Sequence, residues 1–285
     1  MTLSVAPRSC LSVPGTDDRK IRKGWDCEAD EIVLDLEDAV RASRKAEARE
    51  MVAALPGRRE AGARVAVRVN AARTGWCHLD VAAVAGPDTP FDSIVLPKVE
   101  SAGDLEFADR LLDGVEAASG RRRPLGVQAL IETAKGLANL REIVAASPRL
   151  RTLIIGYADL GASLGRAADS WSYARDAVLV AARSAGLAAI DGPYLGVADD
   201  EEFRRSVVHA RELGFDGKWV IHPRQLGTVN AVFTPGADEV AQAHAVLDAL
   251  RGTEVGAVEL EGRMIDEAVA VAARRVLARA EAANR

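Results

Sequence analysis

Short apolar runs recur from Ser9 to Ile221, and helical stretches separate them. The runs are Ser9–Val13, Glu31–Leu36, Val65–Val69, Ser93–Leu96, Gly126–Thr133, Thr152–Gly156, Leu187–Asp191 and Lys218–Ile221. Runs this short and this continuously apolar read as strands buried on both faces, as a parallel sheet requires. Helices are expected over Thr16–Cys27, Ala42–Leu55, Asp104–Val115, Ala134–Ala146, Ala174–Ala185 and Glu201–Leu213, with stops at Pro56–Gly57, Pro148, Gly186 and Gly214. Eight strands alternating with helices in about 225 residues predict an α/β fold, the (β/α)8 TIM barrel.

The barrel is expected to occupy residues 1–225, and residues 226–285 to form a C-terminal helical extension. The extension reads as two helices, Val240–Leu250 and Met264–Ala282, with one weak strand-like run, Val255–Leu260. The second helix carries an apolar face on Val269, Ala272, Val276 and Leu277 that has to be buried somewhere. A neighbouring subunit is one such place.

Composition narrows the class. Of 285 residues, 48% are hydrophobic, enough for a large core. A net charge of -5 is too mild to argue for nucleic acid or an acidic membrane surface. The three cysteines, Cys10, Cys27 and Cys77, form no C-x-x-C pair, so neither a disulfide framework nor a thiolate zinc site is indicated and a cytoplasmic location is expected. Arg8 interrupts the first apolar residues too early for a secretory leader, and no run approaches the roughly 20 residues of a membrane span.

In such a barrel the strand ends form one mouth, where chemistry sits. Glu132 closes the fifth run and Asp159 follows the sixth. On neighbouring parallel strands their carboxylates would stand close, which is unfavourable unless a proton or cation lies between them, and oxygen donors of this kind suit Mg²⁺. Each could instead cap the helix that follows. Glu37 and Asp38 end the second strand, Arg68 the third and Lys98 the fourth, with Asp191 and His222 at the last two. With Asp35, Glu37 and Asp38 make three acidic residues at one strand end, some of which must face a polar mouth. Arg68 can grip a substrate carboxylate or pair with the acidic cluster. Arg19 and Lys23 share a helix face, which is either simply solvated or a phosphate-binding surface. His222 is expected to be structural, and His78, His209 and His244 receive no role. Neither a Ser/His/Asp order nor a phosphate-cradling G-x-x-x-x-G-K-[ST] is present.

An ordered set of motifs covers nearly the whole chain: R-S-C-L-S-V-P-G (Arg8–Gly15), V-L-D-L-E-D-A-V (Val33–Val40), R-V-N (Arg68–Asn70), L-P-K-V-E (Leu96–Glu100), I-E-T-A (Ile131–Ala134), G-Y-A-D-L (Gly156–Leu160) and G-K-W-V-I-H-P (Gly217–Pro223). This set resembles the citrate lyase β-subunit family, within the superfamily of malyl-CoA and citramalyl-CoA lyases and metal-dependent hydroxy-oxo-acid aldolases. The resemblance implies that Glu132 and Asp159 hold Mg²⁺ (or Mn²⁺), and that Arg68 contacts the substrate carboxylate and carbonyl. Arg19 and Lys23 would meet coenzyme A phosphates, and Ile221 and His222 would line the thioester. Ser12 stands where the family usually carries an aromatic against the coenzyme. Glu37, Asp38 and Lys98 would support the site. The tail's Met264-Ile265-Asp266 resembles a family motif whose aspartate enters the active site of the next subunit of a trimer as an acid/base.

The implied activity is a carbon–carbon lyase that cleaves, or forms, a 3-hydroxyacyl-CoA, giving an acyl-CoA and a 2-oxo acid. Its partners would be those two small molecules and further copies of itself, in a trimer or hexamer. Ser12, Asp17 and Ala268 depart from the family pattern. Two alternatives stand beside it: an aldolase acting on a free hydroxy-oxo acid, and a subunit that works only with partner proteins.

Overall fold

The structure, a computed structural model, describes residues 6–56, 62–167, 170–251 and 256–283. The expectations for Gly57 and Val255 therefore lie outside the described residues. The chain divides into two compact units, Ala6–Val229 and Asn230–Arg285.

The first unit contains β1 (Ser9–Pro14), α1 (Asp18–Trp25), β2 (Glu31–Asp35), α2 (Lys45–Ala53), β3 (Arg64–Arg68), α3 (Cys77–Val84), β4 (Ser93–Leu96), α4 (Ala102–Ser119), β5 (Gly126–Ile131), α5 (Ala134–Ala138), α6 (Leu140–Ile143), β6 (Leu150–Ile155), α7 (Tyr157–Leu164), α8 (Ser172–Ser184), β7 (Ala188–Asp191), α9 (Glu201–Leu213) and β8 (Gly217–Val220). The eight strands run parallel and close on themselves in sequence order, β8 pairing with β1. This is the expected (β/α)8 barrel.

Side-chain alternation along each strand decides what the barrel encloses. One residue from every strand joins a buried central layer of Cys10, Val33, Ala66, Val95, Leu130, Ile154, Ile190 and Trp219. Below it, Gln128 donates from Nε2 to Glu31 Oε1 and to Ser93 Oγ, both at 2.9 Å. Two residues further along the same inward face come Asp35, Arg68 and Glu132, at the carboxyl ends of their strands. The Arg68 guanidinium stands 6.0 Å above the Trp219 ring, so the apolar layer floors a charged mouth.

Several helices differ from expectation. The stretch Ala42–Leu55 opens as a 3-10 turn over Ala42–Arg44 before α2 begins. Ala134–Ala146 is broken at Asn139 into α5 and α6, and the Asn139 side-chain amide donates to the Glu100 carbonyl at 2.8 Å. The run Cys77–Val84 is helical although its apolar residues are spread around the axis; its buried face is Cys77, Asp80, Val81 and Val84. Asp80 is an acidic residue in that buried set, which hides the period.

The second unit contributes α11 (Ala237–Leu250), β9 (Ala257–Leu260), β10 (Arg263–Asp266) and α12 (Glu267–Ala283), and α10 (Leu226–Phe233) includes the point of division. The helix expected from Met264 begins only at Glu267. Its first residues instead form β10, paired antiparallel with β9 across Glu261-Gly262, both at positive φ (54° and 76°). A two-residue turn with both φ positive matches the right-handed twist of a hairpin. The apolar face of α12 is partly buried within its own unit: Val269, Val276 and Leu277 pack on a cluster of Ala243, Val246, Ile265 and Ala273. The inward alanine is Ala273, whereas Ala272 is exposed.

Candidate active site

Glu132 follows the last residue of β5, and its carboxylate is only 2% exposed. Oε1 accepts from the Lys98 backbone N–H at 2.9 Å. The partner strand makes room for it: a Cβ on Gly156 would lie 2.6 Å from Glu132 Oε2 and 2.7 Å from its Cβ. Glycine at the exit of β6 is thus what allows a carboxylate at the exit of β5. Neither acid is consumed as a cap. Thr133 caps α5, its Oγ1 accepting from Gly136 N at 3.0 Å. α7 starts after Gly156 with no side-chain cap, leaving Asp159 in its first turn facing Lys98.

Lys98 knits the mouth together. Its ammonium lies 2.5 Å from Glu37 Oε1, 4.0 Å from Asp38 Oδ2, 3.9 Å from Glu132 Oε1 and 3.8 Å from Asp159 Oδ1. The residue is held at φ 52°. The left-handed region costs an ordinary side chain roughly 1–2 kcal/mol. That conformation aims the N–H at Glu132 while the side chain reaches the acidic cluster. Burial lowers the lysine's affinity for its proton, but the bond to Glu37 and the surrounding carboxylates more than reverse this.

Arg68 is committed to Asp35, which is buried. Nε donates to Oδ1 at 2.9 Å and Nη2 to Oδ2 at 2.5 Å. Asp35 also accepts backbone N–H groups from Glu37 and Ala39 at 2.8 and 3.1 Å, so it fixes the turn after β2 as well. Only Nη1 points elsewhere, 3.1 Å from Glu37 Oε2 and 3.7 Å from Asp38 Oδ2. The two-pronged edge is therefore taken by the protein, and a substrate carboxylate would meet the remaining edge. Asp35 belonged to the acidic run at the strand end, but its grip on Arg68 shows only in three dimensions. An outer layer braces both exits: Lys45 Nζ donates to the Leu36 and Glu37 carbonyls, and Asp80 accepts from Asn70 and Arg49.

The structure thus brings Glu37, Asp38, Arg68, Lys98, Glu132 and Asp159 into one cluster. Burial, then the nearby Glu37 and Asp159, push the Glu132 carboxyl up to about 8, against the opposing Lys98 charge. Acids held this close favour a proton or a cation between them. Among the described residues no group of three or more His, Cys, Asp or Glu side chains is placed to hold a metal. Two carboxylates alone are a poor zinc or calcium cage. They suit Mg²⁺, which keeps several waters and takes its remaining oxygens from substrate.

Other candidates fall differently. Ser12 lies on the inward face of β1, two residues beyond Cys10, and is half-buried. Arg19 and Lys23 are exposed on α1, whose N-terminus is capped by Asp17 accepting from Lys20 N at 3.0 Å. That cap gives Asp17 a local purpose. His222 Nδ1 accepts from Arg224 N at 3.2 Å, as a capping group at the exit of β8, where Ile221 is partly exposed. Slight burial and the Arg224 and Lys23 charges lower the histidine's pKa. Asp191 does not face the mouth: it pairs in register with Lys218 on the outer face of the barrel. Asp266, in the second unit, accepts from Val269 N at 3.2 Å and so caps α12.

The HpcH/HpaI aldolase/citrate lyase family profile matches residues 8–223. An L-malyl-CoA/beta-methylmalyl-CoA lyase from Rhodobacter capsulatus is 34% identical over 303 aligned residues, covering 97% of this chain and 95% of its own. A (3S)-malyl-CoA thioesterase from Cereibacter sphaeroides is 36% identical over 283 residues, covering 96% and 95%. A crystal structure of protein CitE from Mycobacterium tuberculosis, in complex with magnesium, acetoacetate and coenzyme A, superposes with a TM-score of 0.80 at 31% identity, covering 98% of this chain and 99% of that one.

Proposed function

Because the chain belongs to the HpcH/HpaI aldolase/citrate lyase family, we propose that it is a Mg²⁺-dependent carbon–carbon lyase of a 3-hydroxyacyl-CoA such as malyl-CoA, citramalyl-CoA or citryl-CoA. The products are an acyl-CoA and a 2-oxo acid, and the reverse condensation uses the same groups. The observation that carries this reading is the meeting of Glu132 and Asp159 around one cationic centre, the Lys98 ammonium, at the barrel mouth beside Arg68.

Glu132 and Asp159 hold the metal, and Mn²⁺ can replace Mg²⁺. The bound ion supplies Lewis-acid stabilisation of the oxygen charge that develops as the bond breaks. Arg68, immobilised by Asp35, offers Nη1 to the carboxylate or carbonyl of the oxo-acid half. Glu37 and Lys98 keep that guanidinium and the Glu132 carboxylate in place, and Asp38 completes the acidic rim. The substrate hydroxyl loses its proton to a base as the C–C bond breaks, and the bonding pair passes to the α-carbon of the departing acyl-CoA. Protonation of that carbon completes the product. Asp266 is the acid/base, supplied by a neighbouring copy in a trimer or hexamer. Arg19 and Lys23 meet the phosphates of coenzyme A, and Ser12, Ile221 and His222 line its thioester arm. The cysteines Cys10, Cys27 and Cys77 are free, which accords with a cytoplasmic setting. Among the described residues no helix is long and apolar enough to cross a membrane.

The thioesterase relative favours a second reading, hydrolysis of the thioester on the same substrate. Product analysis separates the two. With malyl-CoA and Mg²⁺ the lyase gives glyoxylate and acetyl-CoA with no free thiol, whereas the thioesterase gives malate and free coenzyme A. Free 4-hydroxy-2-oxo acids, assayed alongside, test for an aldolase that needs no coenzyme. Release of thiol alone, or turnover of the free acids alone, would overturn the lyase assignment. Turnover by the isolated chain would exclude dependence on partner proteins.

A further inference from the structure

Outside the barrel wall, a second set of buried charges sits behind the turn that carries Asp159. Lys218 on β8 is 2% exposed and Asp191 on β7 is 1% exposed. They form an ion pair, and Lys218 Nζ also donates to the Gly192 carbonyl at 2.9 Å. The other oxygen of Asp191 accepts the Tyr157 hydroxyl. That hydroxyl in turn accepts from Arg175 Nε of α8 at 2.8 Å, and the Arg175 guanidinium lies 5.1 Å from the Tyr157 ring. The ring also packs on Trp171 at 5.1 Å. Gly192 lets the exits of β6 and β7 close together: a Cβ there would lie 2.4 Å from the Ile155 carbonyl and 2.8 Å from the Tyr157 ring.

None of these groups enters the chemistry above, yet Tyr157 is the first residue of α7 and Asp159 the third. Two residues are about 200° apart around an α-helix axis, so they leave it on opposite sides. Tyr157 is tethered on the outer side and Asp159 is presented on the mouth side. Rolling this short helix about its axis would break the first contact and misdirect the second.

We infer that Tyr157 is a positioning residue for Asp159: the Lys218–Asp191–Tyr157–Arg175 chain clamps the roll of α7 and thereby fixes one of the two metal carboxylates. This rests on the reading of Glu132 and Asp159 as the metal site. The Tyr157 hydroxyl donates to the Asp191 carboxylate. Its charged acceptor makes it one of the stronger kinds of hydrogen bond.

The test is calorimetric titration of the full-length protein with Mg²⁺, in the absence of substrate. Tyr157→Phe keeps the ring and removes only the clamp. Its affinity for Mg²⁺ is expected to fall about tenfold at unchanged stoichiometry. Arg175→Gln removes the clamp from the other side and carries the test should Tyr157→Phe not fold. Its affinity should fall in the same direction. Val178→Ala is the control: it opens space on the buried face of α8 and lowers the melting temperature without touching the clamp, so Mg²⁺ affinity should hold. Equal Mg²⁺ affinity in wild type and Tyr157→Phe, or equal weakening by Val178→Ala, overturns the inference while leaving the metal site standing. A wild-type protein that binds no Mg²⁺ overturns both.

Discussion

The backbone N–H of Lys98 donates to Glu132 Oε1 at 2.9 Å, while the ammonium of the same lysine stands 3.9 Å from that oxygen. Lys98 thus serves Glu132 twice, once as a rigid backbone donor and once as a mobile charge. If Glu132 and Asp159 hold a divalent ion as proposed, the charge competes with it for the same carboxylates. Lys98→Met keeps the donor and removes the competitor. Titration should show Mg²⁺ bound about tenfold more tightly, equivalent to roughly 1.4 kcal/mol. The metal-free variant should melt at a lower temperature than wild type, because four acids then crowd together with less compensation. Weaker Mg²⁺ binding in this variant would show that Lys98 assists the ion instead of opposing it.

The raised pKa of Glu132 has a signed consequence. In the unfolded chain a glutamate titrates near 4.3; in the folded, metal-free protein burial and neighbouring acids move it to about 8. Between those values the folded state holds a proton that the unfolded state has lost, so its stability falls as pH rises from about 4 to about 8. Thermal melts in a chelator should show this decline. Mg²⁺ needs the ionised form, so its affinity should climb over the same window, by at most about tenfold per pH unit for one proton. Glu132→Gln keeps an oxygen for the Lys98 N–H but holds no charge. It should flatten both profiles, abolish Mg²⁺-dependent turnover and leave the melting temperature no lower than that of wild type.

Gly156 faces Glu132 with no space for a methyl group. Its φ of -111° is open to any residue, so only crowding penalises a substitution there. In Gly156→Ala the carboxylate must swing away from the mouth. Mg²⁺ affinity should fall at least tenfold, with the circular-dichroism spectrum of the barrel retained.

Asp35 holds Arg68 by two hydrogen bonds under nearly complete burial. Removing one partner of a buried pair strands the other, at a cost of about 3–5 kcal/mol. Asp35→Asn should lower stability by about 3 kcal/mol in denaturant titrations. It should also reduce kcat/KM, since the guanidinium loses its fixed orientation.

The barrel was legible because its strands are buried on both faces and read as continuous apolar runs. The acids and bases at their ends could be collected into one mouth for the same reason. Legibility failed where a contact depends on facing direction. Asp191 follows Ile190 by one residue, and that single step turns it to the outer wall, against Lys218. Asp35 looked like one acid among several until its reach across to β3 was visible. In the tail, the helical spacing of Val269, Val276 and Leu277 marks α12, but Met264 belongs to β10, beyond the Glu261-Gly262 turn. Gly262 suits one of the two positive-φ positions of such a turn, but Glu261 is not a residue that favours the other, so the hairpin signal is weak. The alternation across it, Val258 and Leu260 against Ile265, was short enough to be taken for a weak run.

Asp266 poses the sharpest remaining contrast between two roles. As a cap, its Oδ1 accepts from Val269 N, and asparagine at the same place would accept equally well. As an acid/base it must exchange a proton, which an amide cannot do. Asp266→Asn should therefore melt within about 0.5 kcal/mol of wild type yet lose roughly 10²–10⁴-fold in kcat, with Mg²⁺ affinity unchanged. Mixing this variant with Glu132→Gln, inactive for a different reason, distinguishes the source of the aspartate. If a neighbouring copy supplies it, hybrid oligomers contain some sites with both residues intact, and activity should reappear on mixing under conditions that exchange subunits. No recovery, with exchange verified by mass after isotopic labelling of one variant, would place the aspartate within its own chain's site or remove it from the reaction altogether.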